Sequence, residues 1–279
     1  MAQVHPSAII DERACLEEGV TIGPGCIIEG EVRVGSNTRL LANVHLFGPV
    51  TLGRDNVLYP NTCLGYAGQH RAIDHDKPGA GLIVGDGNVL REGVSIHRAI
   101  GDRPTTVGDH NYLMVNAHVG HDSVVGNHCV LANCALLGGH VAVADNAIVS
   151  GNAAVHQFCR IGRLALISGC QGITQDLPPF CVCYVTRTVS SLNLVGLRRA
   201  GLREHIGPLK RAFDIFFRSG HANGRAIRRI ESELGDDPLC LELIQFIRHS
   251  ERGITPYASA HEGQRHHASE ITPPNEALS

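Results

Sequence analysis

Aliphatic residues at every sixth position, followed by a change to helical spacing, predict a mainly β chain: a parallel β-helix followed by a C-terminal α-helical domain. Ile10, Leu16, Ile22, Ile28, Val34, Leu40, Leu46, Leu52, Leu58 and Leu64 lie on one strict grid. Val84, Leu90 and Ile96 resume it, and twelve more aliphatics carry it from Val107 to Ile173. A single strand alternates over a few residues and stops, so 25 aliphatics on one grid require a repeating architecture. The surrounding residues agree: two places before the aliphatic stands a small one, as at Ala14, Cys26, Thr38, Ala117, Ser123 and Ala135, and Gly often follows, as at Gly23, Gly53 and Gly126. There is no Trp and only 4% of residues are aromatic, so the core must be layers of small and β-branched side chains.

Families with this repeat form the left-handed, triangular version, in which three hexads complete a coil; the grid then gives about eight coils over residues 1–186. Two interruptions, Gly65–Ile83 and His97–Thr106, are rich in Gly, Asp, His and Arg. They read as loops ejected from the corners of the prism, where a rigid scaffold commonly carries its function. After Ile173 the grid meets Gln175-Asp176-Leu177-Pro178-Pro179, a natural stop. From about Ser191 the spacing becomes helical through Leu209/Phe213/Phe216, Ile227/Ile230/Leu234 and Leu239/Leu243/Ile247, giving an α-helical domain over 187–254. Gly207-Pro208 and Asp236-Asp237-Pro238 are expected to separate the helices. Residues 255–279 read as a disordered tail, whose histidines are assigned no role.

The formal net charge of −3 argues against nucleic acid as a partner. No apolar run approaches the roughly 18 residues of a membrane span, and the start MAQVHPSAIIDE lacks the basic and apolar regions of a signal peptide. A cytoplasmic chain without stable membrane insertion is expected. Of the ten cysteines, the close pair Cys181 and Cys183 has the wrong spacing for a zinc ribbon. Cys26, Cys129 and Cys159 occupy small-residue grid positions, as buried thiols of a reducing compartment do. Charge divides along the chain: residues 1–186 carry 11 Lys/Arg against 16 Asp/Glu, and residues 187–252 carry 12 against 8.

The chemistry-bearing stretch runs from Met114 to Asp122, where His118 and His121 flank the grid residue Val119. Residues one coil apart stack at the inter-strand spacing of about 4.8 Å. His121, Gly139 and Gln157 then form one column, Asp122, His140 and Phe158 the next, and His156 borders them. A histidine beside a carboxylate and a glycine backbone suits acyl transfer: the imidazole takes a proton from an alcohol, the carboxylate orients it, and the Gly139 N–H holds the oxyanion. No Ser or Cys shares the central column, so direct attack by the substrate hydroxyl is expected, without an acyl-enzyme, metal or cofactor. The rival is a zinc hydrolyase of carbonic-anhydrase type, with His118, His121 and His140 as ligands, although paired histidines on that scaffold are more widely spaced.

Longer motifs narrow the choice. His5-Pro6-Ser7-Ala8, Arg91-Glu92-Gly93-Val94-Ser95-Ile96-His97-Arg98, Asn116-Ala117-His118-Val119-Gly120-His121-Asp122, Leu131-Ala132-Asn133, Gly138-Gly139-His140-Val141, Ala154-Val155-His156-Gln157-Phe158 and Gly196-Leu197-Arg198-Arg199 together resemble the UDP-N-acetylglucosamine O-acyltransferases of lipid A biosynthesis over residues 4–254. The resemblance implies His121 as general base on the sugar 3-hydroxyl, Asp122 as its support and Gly139 as oxyanion donor. It implies substrate contacts from His118, Asn133, His140, His156, Gln157, Asn193, Arg198 and Arg199, and from Gln69 and Arg71 in the first loop. It further implies a 3-hydroxyacyl donor on acyl carrier protein, a UDP-sugar acceptor, and a homotrimer with sites between subunits. An acidic carrier would suit Arg198, Arg199, Lys210, Arg211, Arg228 and Arg229.

The chain departs from the family pattern at the acceptor contacts. Gln69-His70-Arg71-Ala72 stands where the family has Gln-Asp-Leu-Lys, Val195 replaces a Glu and Ala200 an Arg, and the segment Cys183–Thr188 is altered. Arg71 is the candidate to replace the lost Lys. A paralogue with an amino-sugar or non-UDP acceptor therefore stays open beside the UDP-N-acetylglucosamine enzyme; the sister N-acyltransferase has an additional N-terminal domain absent here. Gly169 aligns with the end of the acyl groove, and without a side chain there the groove is expected to admit a longer chain, roughly C12–C16.

Overall fold

A computed structural model describes residues 1–71, 73–74, 77–185 and 187–257. The grid becomes a left-handed parallel β-helix whose strands are two or three residues long. Among the described residues the first face holds eleven strands, the second nine and the third eight. Neighbours are parallel until Cys181–Cys183, which takes Ser191–Leu192 antiparallel. His118 pairs with Leu136 and Val119 with Leu137, so grid residues stack on grid residues. Val119, Leu137 and Val155 are accordingly buried, whereas Leu136, Ala154 and His156 beside them are exposed. A polar residue at an inner position satisfies its neighbour: Asn88 N–H donates to Asn56 Oδ1, Asn111 N–H to Asn88 Oδ1, and Cys129 N–H to Asn111 Oδ1.

The solenoid makes about ten turns, not about eight. The grid count misses its ends. Gln3–Val4 already pairs with Thr21–Ile22, ahead of the first grid residue. At the other end Pro178-Pro179 does not stop the winding: Leu177 bridges to Ile161, and Cys181–Cys183 adds another rung on Leu166–Ile167. A proline in the turn between rungs removes no ladder donor, which is why the corner tolerates it.

Both interruptions leave the same corner, between the second and third faces. The partner spacing of 18 rises to 32 across the first and to 23 across the second. Ile83, Thr105 and Thr106 belong to the strands Leu82–Val84 and Thr105–Val107, so the ejected segments are shorter than the sequence suggests. The two loops are tied together: Gly81 bridges Ala99, and the buried Arg98 guanidinium donates to Gly65 O and Lys77 O.

The helices are α1 (Leu194–Arg199), α2 (Ile206–Phe213, continued by a π turn over Asp214–Arg218), α3 (Asn223–Leu234) and α4 (Pro238–Arg248). They bury Leu197, Leu209, Phe213, Ile230, Leu243 and Ile247. Gly207-Pro208 does not separate helices; it lies in the first turn of α2, where a missing N–H costs nothing. Asp237 does mark a boundary, accepting from Leu239 N–H and Cys240 N–H to cap α4. The folded body also reaches past 254: Thr255 is buried and Tyr257 packs against Phe213 and Arg218. Positions 258–279 of the expected tail lie outside the described residues. All ten cysteines are free; burial pushes the Cys129 and Cys159 thiols up to about 11. Among the described residues no helix is long and apolar enough to cross a membrane.

Candidate active site

His121 and Asp122 sit in the turn that joins His118–Val119 on the second face to Val124–Val125 on the third. This is the corner from which both loops leave. Asp122 takes φ 59°, a left-handed conformation that Asp adopts more readily than most residues. The next two coils repeat that conformation at His140 and Phe158, whose rings stack 4.6 Å apart. The predicted columns are thus observed, and His140 N–H donates to His121 O between them.

Asp122 is held from three sides. Its Oδ1 accepts from Gly101 N–H at 2.8 Å and its Oδ2 from Ile100 N–H at 3.2 Å, both from the second loop. Its own N–H donates to the buried Thr105 Oγ1. Oδ2 also lies 2.6 Å from His121 Nδ1. Burial raises the pKa of this carboxyl, but the bonds from His121, Gly101 and Ile100 outweigh it, and the group titrates below its ordinary value. An ionised carboxylate only accepts, so the His121 proton is on Nδ1 and the lone pair is on Nε2.

That Nε2 faces Gly139. A Cβ on Gly139 would come within 2.7 Å of it and 2.6 Å of Cε1, so the ring occupies the space a side chain would need. The Gly139 N–H donates to no acceptor among the described residues. On the other side Gly68 of the first loop leaves similar room: its Cβ would lie 2.8 Å from His121 Cβ. His121 is therefore only 9% exposed, far from the solvated corner residue that the repeat alone would give.

His118 stands beside the pair with Nδ1 2.8 Å from Ser95 Oγ and its ring edge-on to His97 at 4.9 Å. Burial first, and His121 second, lower its pKa. His97 is pushed down to about 4 by burial, with His118, His121 and Arg98 adding to it, and its buried Nδ1 has no hydrogen-bond partner among the described residues. Among the described residues the possible metal-ligand atoms that gather are those of His121, Asp122 and His140, without His118.

The remaining candidates scatter. Gln157 and His156 are exposed on the coil beyond Gly139, where Arg252 donates to His156 Nδ1. Gln69 and Arg71 are exposed on the first loop. Asn133 and Gly169 occupy another corner, between the first and second faces, and both are exposed. Asn193, Arg198 and Arg199 lie on the first face, across the prism from His121, where Lys210 joins them around a cavity of about 1020 Å³ floored by Val130 and Ile148. The Asn193 amide is committed there: Oδ1 accepts from Gly196 N–H, capping α1, and Nδ2 donates to Leu164 O. Arg211 and Arg229 both bind Glu233, which narrows the basic surface expected of the helices to Arg198, Arg199, Lys210 and Arg228.

Sequence reasoning missed Gly68, Ser95, His97, Ile100, Gly101 and Thr105, and also His70, whose ring stands edge-on to that of His121 with centroids 6.4 Å apart. Ser95 was findable, since it precedes a grid residue on the coil below His118. The loop residues carried no such signal, because an insertion shifts them off the 18-residue stacking rule.

Comparison with known proteins follows the same outline. Residues 176–255 match a family model described as UDP N-acetylglucosamine O-acyltransferase, domain 2, and residues 104–139 match six bacterial transferase hexapeptide repeats. An acyl-[acyl-carrier-protein]–UDP-N-acetylglucosamine O-acyltransferase of Halorhodospira halophila is 39% identical over 258 residues, 91% of this chain and 99% of that one. Its counterpart in Thermodesulfovibrio yellowstonii is 40% identical over the same shares. The crystal structure of the Francisella novicida UDP-N-acetylglucosamine acyltransferase superposes with a TM-score of 0.87 at 28% identity, covering 94% of this chain and 96% of that one.

Proposed function

The chain belongs to the UDP-N-acetylglucosamine O-acyltransferase family, and from that premise we propose that it moves a 3-hydroxyacyl group from acyl carrier protein to the 3-hydroxyl of UDP-N-acetylglucosamine, opening lipid A biosynthesis. The observation that carries this reading is the His121 ring, oriented by Asp122 and lying against Gly139, whose N–H has no acceptor among the described residues. His121 Nε2 takes the proton as the sugar oxygen attacks the thioester carbonyl. The Gly139 N–H receives the developing oxyanion. Collapse breaks the carbon–sulfur bond, the imidazolium returns its proton to the departing thiolate, and the ester remains. No covalent enzyme intermediate is needed: Ser123, the hydroxyl nearest in sequence, is buried and donates to Gly138 O.

The site is completed between copies of a cytoplasmic homotrimer. What supports this is the shape of the prism. The cavity bearing Asn193, Arg198 and Arg199 lies on the first face, opposite the edge that holds His121, so one substrate reaches both only if a second chain supplies one of them. His118, His140, His156, Gln157, Asn133, Gln69 and Arg71 then border the substrates, and the acidic carrier protein docks on Arg198, Arg199, Lys210 and Arg228 of the helices. The test is turnover of a 3-hydroxyacyl carrier protein with UDP-N-acetylglucosamine, with its 3-amino analogue and with sugars lacking UDP. Preferred acylation of UDP-N-acetylglucosamine is expected; no transfer to any UDP-sugar would overturn the reading.

A further inference from the structure

Among the described residues, His121, Asp122 and His140 form a group whose possible ligand atoms all lie within 4.8 Å of one another. We propose that this corner binds a divalent transition ion of the zinc class, and that the bound ion switches the acyl-transfer base off. The switch rests on the reading of His121 as base; the binding site does not.

Asp122 Oδ2 is the common vertex, 2.6 Å from His121 Nδ1 and 3.7 Å from His140 Nε2. Donor atoms around a tetrahedral zinc with bonds of about 2.0–2.2 Å stand about 3.3 Å apart. The first separation must open by about 0.7 Å, the second close by about 0.4 Å, and the two imidazole nitrogens, within 4.8 Å of each other, must come to the same spacing. Asp122 and His140 are both backed by a neighbour. Gly101 N–H holds the other carboxylate oxygen, and Phe158 stacks on the His140 ring with their planes 10° apart. The carboxylate is largely buried, whereas the His140 side chain is 40% exposed and opens the group to solvent. Two imidazoles and a carboxylate suit zinc better than magnesium or calcium.

The effect on catalysis follows from the tautomer. A metal binds imidazole through a lone pair, and the pair near Asp122 is on Nδ1 only when the ring proton is on Nε2. The proton moves between the two nitrogens by way of solvent, and nothing is oxidised or reduced. The metal-bound ring then has no lone pair on Nε2 with which to accept the sugar proton.

Metal-free protein titrated with zinc chloride against a chromophoric chelator tests the site directly. One equivalent of zinc per chain is expected to disappear in His140→Ala and in Asp122→Asn, with affinity at that site lowered about tenfold or more. Zinc held by histidines elsewhere in the chain is unchanged in both variants, so the difference isolates this corner. In the wild-type chain acyl transfer is expected to fall in step with that one equivalent and to return with a chelator. Equal zinc binding by wild type and both variants would overturn the site, and full turnover with the site loaded would overturn the switch. The titration uses no acyl substrate, so a failure of the acyl-transfer reading would appear in turnover and leave the binding result standing.

Discussion

Two corners of the prism are built from the same repeat and end up with opposite properties. At the corner of His121 two insertions fold over the turn: the second supplies both backbone donors to Asp122, the first sets Gly68 against His121, and the ring is left 9% exposed. The corner of Asn133 and Gly169 has no insertion, and both residues are exposed. Their glycines differ in the same way. Gly139 has no side chain because the His121 ring fills that space. A Cβ at Gly169 would meet only Gly151 O, at an ordinary 3.4 Å, and its φ is not left-handed, so nothing in the turn requires glycine there. The repeat places residues, and what is laid over the repeat gives them chemistry.

The sharpest break of this comparison is His121→Ala. Acyl transfer should fall by about 10³–10⁴-fold with the prism still folded, because the inward grid residue Val119 is untouched; Asp122→Asn should be milder. Near wild-type turnover would remove His121 from the mechanism. Next, Gly139→Ala should cost about 10²–10³-fold in kcat, as the new methyl displaces the ring and crowds the oxyanion. Gly169→Ala, measured beside it, should change kcat by less than about twofold. Equal losses at the two glycines would erase the distinction between the corners.

Acid should weaken the covered corner through His97. Its value in the folded chain is about 4, below the ordinary 6.5, so the unfolded chain binds the proton more readily between those values. Stability is complete above about pH 6.5 and is lost as pH falls toward 4, by up to about 3 kcal/mol. Denaturant unfolding of wild type and His97→Gln across this range measures it; parallel pH dependences would show that His97 is not the group responsible. The smallest effect belongs to the bare corner. Gly169→Met should shift the donor preference toward shorter acyl chains, by about fourfold for each methylene excluded at about 0.8 kcal/mol apiece. A donor profile identical to wild type would place the end of the acyl groove elsewhere.

The sequence by itself determined the winding, the inward residues and the stacking of His121 on Gly139 and of Asp122 on His140, because a fixed repeat turns distance along the chain into distance in space. Helix starts such as Asp237-Pro238 were legible for a similar local reason: a cap acts on the turn beside it. Only the tertiary structure decided that Gly68, Ile100 and Gly101 touch the reactive pair, because an insertion breaks that conversion and its path depends on what it packs against. It also decided that Asn193 caps a helix and that Gly207-Pro208 lies inside one. Above all it decided that His121 is buried with its Nδ1 against the Asp122 carboxylate. That state depends on a carboxylate whose partners come from a loop about 20 residues earlier in the chain, and no local pattern encodes such a contact.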